Sequence, residues 1–245
     1  MKKTAILIII TVLTAGSLYA QNERKSNIPL IGSEAPSFKA ETTNGTLNFP
    51  KDFGKKWKVL LSHPRDFTPV CTSEILELAK MQNQLNELGI EVAILSTDDV
   101  DLHRLWKESM EEVLSNEPVP LRIQFPFIDD AKAEISKLYG MIHAPASTTR
   151  DVRGVFVINP DNIVEATYFY PMSVGRNLDE LVRTVQALQT AHASNLFTPV
   201  NWKPGKDLLV PHFPYTKEEL AENKDLVNEF YNVGSYLWYK KSIKP

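Results

Sequence analysis

The sequence predicts an α/β fold: a central mixed β-sheet flanked by helices, followed by a C-terminal arm. Three observations predict it. Two nearly continuous apolar runs, WKVLLS at 57–62 and EVAILST at 91–97, have the character of strands buried on both faces. Between them Ile75, Leu78, Ala79, Leu85 and Leu88 recur at helical spacing, so this stretch reads strand–helix–strand. Further on, two apolar strands across a tight turn run into an amphipathic helix, giving a strand–strand–helix ending.

Taken in order, the elements begin with a segment that need not belong to the fold. MKKTAILIIITVLTAGSLYA has a lysine pair, an apolar run and small residues ending at Ala20, the layout of a secretory signal cut after Ala20. The run is short of the roughly 20 apolar residues of a membrane span. The expectation is therefore an exported, periplasmic or secreted, chain. Residues 21–34 are polar and read as a lead-in. Gly89 stops the first helix, a second helix is expected over 99–115, and a short one over 131–139. RGVFVINPDNIVEATYFYP is a hairpin whose turn is Asn159–Asn162. Leu178, Leu181, Val182, Val185 and Leu188 then mark a helix with Asp179 and Glu180 in its first turn, where the helix dipole favours acids. The strand–strand–helix ending is that of a thioredoxin-like core, placed at 21–193. From 194 to 245 prolines and scattered aromatics replace the periodicity, so this stretch reads as an arm whose aromatics bury against the core or a second subunit. The formal net charge of −3 offers no basic field for nucleic acid.

The chemistry converges on SHPRDFTPVCTSE at 62–74, which holds the only cysteine. No internal disulfide is possible. Pro69 suits the first position of a helix and Thr68 its N-cap, which makes Cys71 third in the helix and brings the Thr68 oxygen near the Cys71 N–H. The unpaired N–H groups of a first turn favour an anion there. Pro64 ends the strand, and His63 and Arg65 bring potential charge. Spacing alone does not separate a reactive thiolate from a buried, inert thiol. A C-x-x-C exchanger is excluded because the stretch reads CTSE. His63, His103, His143, His192 and His212 lack short ligand spacings, so no metal or other cofactor is implied.

The same thirteen residues resemble the active-site signature of peroxiredoxins of the one-cysteine, peroxiredoxin-6-like class, in the pattern P-x-x-x-T-x-x-C formed by Pro64, Thr68 and Cys71. RGVFVI at 153–158, YPMSVGRNLDEL at 170–181 and TPVNW at 198–202 are similar to stretches of that class in the same order, so the resemblance spans about 28–205. It implies that Cys71 is the peroxidatic nucleophile, that Thr68 hydrogen-bonds thiolate and peroxide, and that Pro64 shields the sulfur. It also implies an arginine from the later strand. Arg153 fits that place and Arg150 competes, but residues three apart on a strand face opposite ways, so only one can serve. His63 resembles a helper histidine. Arg176 and Glu74 are expected to brace the site. The implied reaction is peroxide reduction through a Cys71 sulfenic acid, which an external thiol must resolve because no second cysteine exists. A homodimer or higher homo-oligomer is likewise implied. The lipase-type serine of some relatives is replaced here by lysine in FGKKWKVLLS, so phospholipase activity is not carried over. The competing non-enzymatic reading is a scaffold or holdase-type assembly on the same fold.

Overall fold

A computed structural model describes residues 28–213 and 215–242. The expected export signal at 1–20 lies outside the described residues, as does lead-in 21–27. Seven strands, β1 (Phe38–Thr42), β2 (Gly45–Phe49), β3 (Trp57–Ser62), β4 (Ile90–Ser96), β5 (Phe127–Asp129), β6 (Arg153–Ile158) and β7 (Val164–Tyr170), form one sheet in the order β2-β1-β5-β4-β3-β6-β7. β3, β4 and β5 are parallel, while β6 is antiparallel to β3 and β7 to β6. The sheet is therefore mixed. Four helices accompany it: α1 (Pro69–Glu87), α2 (Val100–Leu114), α3 (Glu134–Leu138) and α4 (Leu178–Ser194).

Alternation along β3 sends Val59 and Leu61 to one face and Leu60 to the other. On the first face they meet Ile75 and Leu78 of α1, Trp106 and Met110 of α2, and Leu181 and Val185 of α4. On the second, Leu60, Phe156 and Ile158 pack with Phe49, Tyr139 and Met141. Every residue of β3 is buried, as its apolar run requires, including Lys58. The Lys58 Nζ donates to the Asn159 and Pro160 carbonyls and, at 2.8 Å, to Asn162 Oδ1. The one charge in the strand thus ties down the β6–β7 turn.

The structure adds elements that the sequence reading omits. β1 and β2 form a hairpin around Thr43-Asn44, and β5 is a three-residue strand. The arm also differs from expectation. β8 (Leu208–Leu209), β9 (Phe230–Val233) and β10 (Leu237–Lys240) form a second sheet, β8-β10-β9, beside α5 (Lys217–Glu222) and α6 (Lys224–Glu229). Phe213 stacks on Trp238 at 3.8 Å and Tyr231 on Tyr239 at 5.0 Å. These aromatics pack on one another within the arm, where burial against the core or a second subunit was expected.

Candidate active site

β3 ends at Ser62, and Pro64, lacking an N–H for a ladder, follows where the chain turns away. The chain then enters α1 with Thr68 at the N-cap and Pro69 at the first helical position, which places Cys71 third. The cap itself departs from expectation. Thr68 Oγ1 donates to the Arg65 carbonyl at 2.8 Å, and its side chain does not cap the first turn. The cause lies one residue upstream: Phe67 has φ 54°, in the left-handed region, and the tight turn this makes brings the Arg65 carbonyl within reach.

Cys71 is 1% exposed, yet apolar packing does not enclose its sulfur completely. Arg153 Nη1 lies 3.2 Å from Sγ and also donates to Glu74 Oε2 at 2.8 Å. Arg153 Nη2 donates to the Met172 carbonyl at 2.6 Å, while the buried Nε has no hydrogen-bond partner among the described residues. Glu74, one helical turn beyond Cys71, also accepts from Arg176: its Oε1 from the backbone N–H at 2.7 Å, its Oε2 from Nη2 at 2.7 Å. Arg176 Nη1 reaches back to the carbonyls of Ser62 and Gly154, joining the ends of β3 and β6. Two buried guanidinium groups thus face one carboxylate. One positive charge beside the Cys71 sulfur is left without a carboxylate of its own. Arg150, the alternative arginine, pairs instead with Asp98 Oδ1 at 2.6 Å.

His63 is brought to the site, but the potential charge noted for it is not realised there. Its side chain is buried beside Trp106, with ring centroids 5.0 Å apart, and neither ring nitrogen makes a hydrogen bond among the described residues. Nε2 is 3.4 Å from Asp66 Oδ1, too poorly placed for one. Burial above all, reinforced by His103, Arg176 and Arg153, holds its pKa well below the ordinary histidine value, so the ring is neutral. Arg65 is exposed. The cations of the site are the two arginines. Asp66 instead meets His103 Nδ1 at 2.7 Å, and the other His103 nitrogen lies 3.0 Å from the Ile128 carbonyl. Burial opposes a charged His103, but these partners outweigh it and raise its pKa.

The sequence reading missed Asp66, Asp98, His103, Trp106 and the Met172 carbonyl. Trp106 donates to Thr72 Oγ1 at 3.2 Å, clasping the first turn of α1. Asp66 stands inside the quoted segment. The others come from separate elements, and a backbone carbonyl leaves no trace in residue type.

Comparison with known proteins identifies the family. Residues 31–167 match the AhpC/TSA family, and residues 187–223 match the C-terminal domain of 1-Cys peroxiredoxin. A peroxiredoxin of Methanosarcina mazei is 45% identical over 80% of this chain and 89% of its own length. The yeast mitochondrial 1-Cys peroxiredoxin, whose thiol is resolved via glutathione and thioredoxin systems, superposes with a TM-score of 0.77 at 33% identity, covering 88% of this chain and all of the other. A cysteine-to-serine mutant of peroxiredoxin 6 from Arenicola marina gives a TM-score of 0.76 at 31% identity over 88% of this chain and 99% of its own. With a single cysteine and matches along most of its length, the chain belongs to the peroxiredoxin family and is a thiol-dependent peroxidase of the one-cysteine type.

Proposed function

We propose that Cys71 is the peroxidatic nucleophile and that Arg153, Thr68 and Pro64 complete its pocket. The thiolate attacks one peroxide oxygen in line with the O–O bond. An S–O bond forms, the O–O bond breaks, and the second oxygen departs with the electron pair, taking a proton to leave as water or alcohol. Cys71 becomes a sulfenic acid. An external thiol then condenses with it, releasing water and leaving a mixed disulfide, and a second thiol equivalent restores Cys71.

The observation that carries this reading is the Nε of a buried Arg153, without a hydrogen-bond partner among the described residues, on a guanidinium whose Nη1 already touches the sulfur. A buried N–H without an acceptor is costly, and a peroxide oxygen beside the sulfur would satisfy it as negative charge develops there. The Thr68 hydroxyl would turn from the Arg65 carbonyl to the same substrate. Pro64 and the neutral His63 would exclude water, and Glu74 with Arg176 would fix the arginine head group. Two further readings rest on sequence and kinship: residues 1–20 direct export, with small or thioredoxin-type thiols as the reductants there, and the chain works as a homodimer.

Stopped-flow reduction of hydrogen peroxide and an organic hydroperoxide by the chain lacking residues 1–20, with a panel of thiols, tests the proposal. Cys71→Ser should consume no peroxide while keeping its far-ultraviolet circular dichroism. A folded Cys71→Ser that still turns over peroxide overturns it.

A further inference from the structure

Phe67 is the one strained point of the loop that carries Pro64 and Thr68. Its φ of 54° puts a bulky aromatic in a region that suits glycine, at a cost of about 1–3 kcal/mol. Such a turn persists only if its neighbours hold it. Thr68 Oγ1 holds one side through the Arg65 carbonyl, and His103 holds the Asp66 carboxylate. The remaining anchor comes from elsewhere in the fold. Asp98, just beyond β4, accepts the backbone N–H of Asp66 on Oδ2 at 2.8 Å, and the same oxygen lies 3.3 Å from Ser96 Oγ. Its Oδ1 accepts from Arg150 Nη1 at 2.6 Å. Arg150 also donates to Thr97 Oγ1 at 3.2 Å, and its own N–H is fixed by Ser147 Oγ at 2.9 Å.

We propose that Asp98 and Arg150 form a positioning pair for peroxide reduction, in which the Asp98 carboxylate locks the strained Pro64–Thr68 loop through the Asp66 N–H and Arg150 fixes that carboxylate. Neither side chain touches the sulfur. Their effect passes through the backbone to Thr68, whose hydroxyl must stand at the correct distance from Cys71 and peroxide. Asp98 is 6% exposed, so its charge sits out of water and needs Arg150 to remain oriented toward Asp66. The assignment rests on Cys71 being the peroxidatic residue, and the experiment separates the two ideas.

For the wild-type chain, Asp98→Ala, Arg150→Met and Arg150→Lys, two rates are measured: Cys71 oxidation by hydrogen peroxide and Cys71 alkylation by iodoacetamide. Alkylation needs the thiolate but not donors aimed at a peroxide, so the ratio of the rates reports the loop. A misplaced donor set of this kind costs about ten- to a hundred-fold in rate, so the ratio should fall by that order in Asp98→Ala and Arg150→Met. Arg150→Lys, which keeps a cation at Asp98, should recover most of it. If Asp98→Ala does not fold, the two Arg150 variants decide, because that side chain is part-exposed. A ratio unchanged in Arg150→Met, or both rates falling together, overturns the positioning role. A wild-type chain that shows no peroxide oxidation of Cys71 would instead refute the underlying reading.

Discussion

Replacing Glu74 with glutamine alters one atom of the site and its whole charge balance. The carboxylate lies between Arg153 and Arg176 with its side chain 5% exposed, so the variant leaves two buried guanidinium groups without their carboxylate. Breaking a buried ionic cluster in this way costs about 3–5 kcal/mol, which urea unfolding should report as a lowered midpoint. Peroxide reduction should slow as well, because Arg153 loses the partner that aims Nη1. An unchanged midpoint would mean that the arginines are held by their carbonyl contacts. Asp151 poses the reverse problem. Its carboxyl is fully buried with no hydrogen bond to either oxygen among the described residues, and burial, aided by Asp130 and Asp98, pushes its pKa up from 3.8 to about 8. The folded state therefore keeps a proton that the unfolded chain releases above pH 3.8. Stability from this group is complete below that value and drains away as pH rises toward 8. Integrated over that interval the loss is on the order of 5 kcal/mol. Asp151→Asn should remove this slope, so its stability relative to wild type should rise between about pH 5 and pH 8. Parallel curves for the two proteins would contradict an ionising Asp151.

At the scale of elements, the contact between β3 and β6 sets where Arg153 meets Cys71. Ser62 Oγ donates to the Val152 carbonyl and accepts the Gly154 N–H, both at 2.8 Å, and a Cβ on Gly154 would stand 2.9 Å from that oxygen. The hydroxyl is held from both sides and cannot yield. Gly154→Ala should therefore push β6 outward, costing about 1–3 kcal/mol and slowing peroxide reduction through the neighbouring Arg153. Adding Ser62→Ala removes the colliding oxygen, so the double variant should be more stable than the sum of the singles predicts. Strict additivity in thermal unfolding would reject the collision. The elements that make this contact were legible because WKVLLS and RGVFVI are too continuously apolar to be anything but buried strands. The β1–β2 hairpin was missed although Asn44-Gly45 marks its turn, since strands of five residues with half-exposed faces carry little hydrophobic signal. β5 has only three residues, and the arm strands are paired aromatics without clean alternation. In the site, Cys71 stood out as the only cysteine, while the arginine of β6 came from the resemblance, with Arg150 competing for the place. The Thr68 bond could not be read, because a hydroxyl at an N-cap has two acceptable partners and the backbone angle of Phe67 decides between them. The Asp98–Arg150 pair joins residues 52 apart and leaves no local pattern.

At the scale of the molecule, the described site is self-contained while the arm is not. Each hydrogen bond described at Cys71, Glu74, Arg153 and Arg176 comes from residues 62–176. The arm, by contrast, leaves Val227, Val233 and Tyr236 exposed at 47%, 55% and 85%. Apolar surface of this kind at one end of a chain is what a second copy would cover. Within one chain Arg183 Nη1 of α4 donates to the Trp202 carbonyl of the arm, and inside the arm Phe197 pairs with Leu209 across an isolated bridge. Deleting residues 206–245 removes β8, β9 and β10 but leaves the catalytic contacts untouched. The truncated chain should then sediment as a lighter species at micromolar concentration than the full chain does, while the first-turnover oxidation of Cys71 by peroxide keeps its rate. A loss of oxidation rate together with a loss of assembly would show that the arm, or the subunit it recruits, completes the pocket. An unchanged sedimentation coefficient, after correction for mass, would show that assembly is governed by another surface, of which the edge strand β7 is the first to examine because its outer side has no partner strand among the described residues.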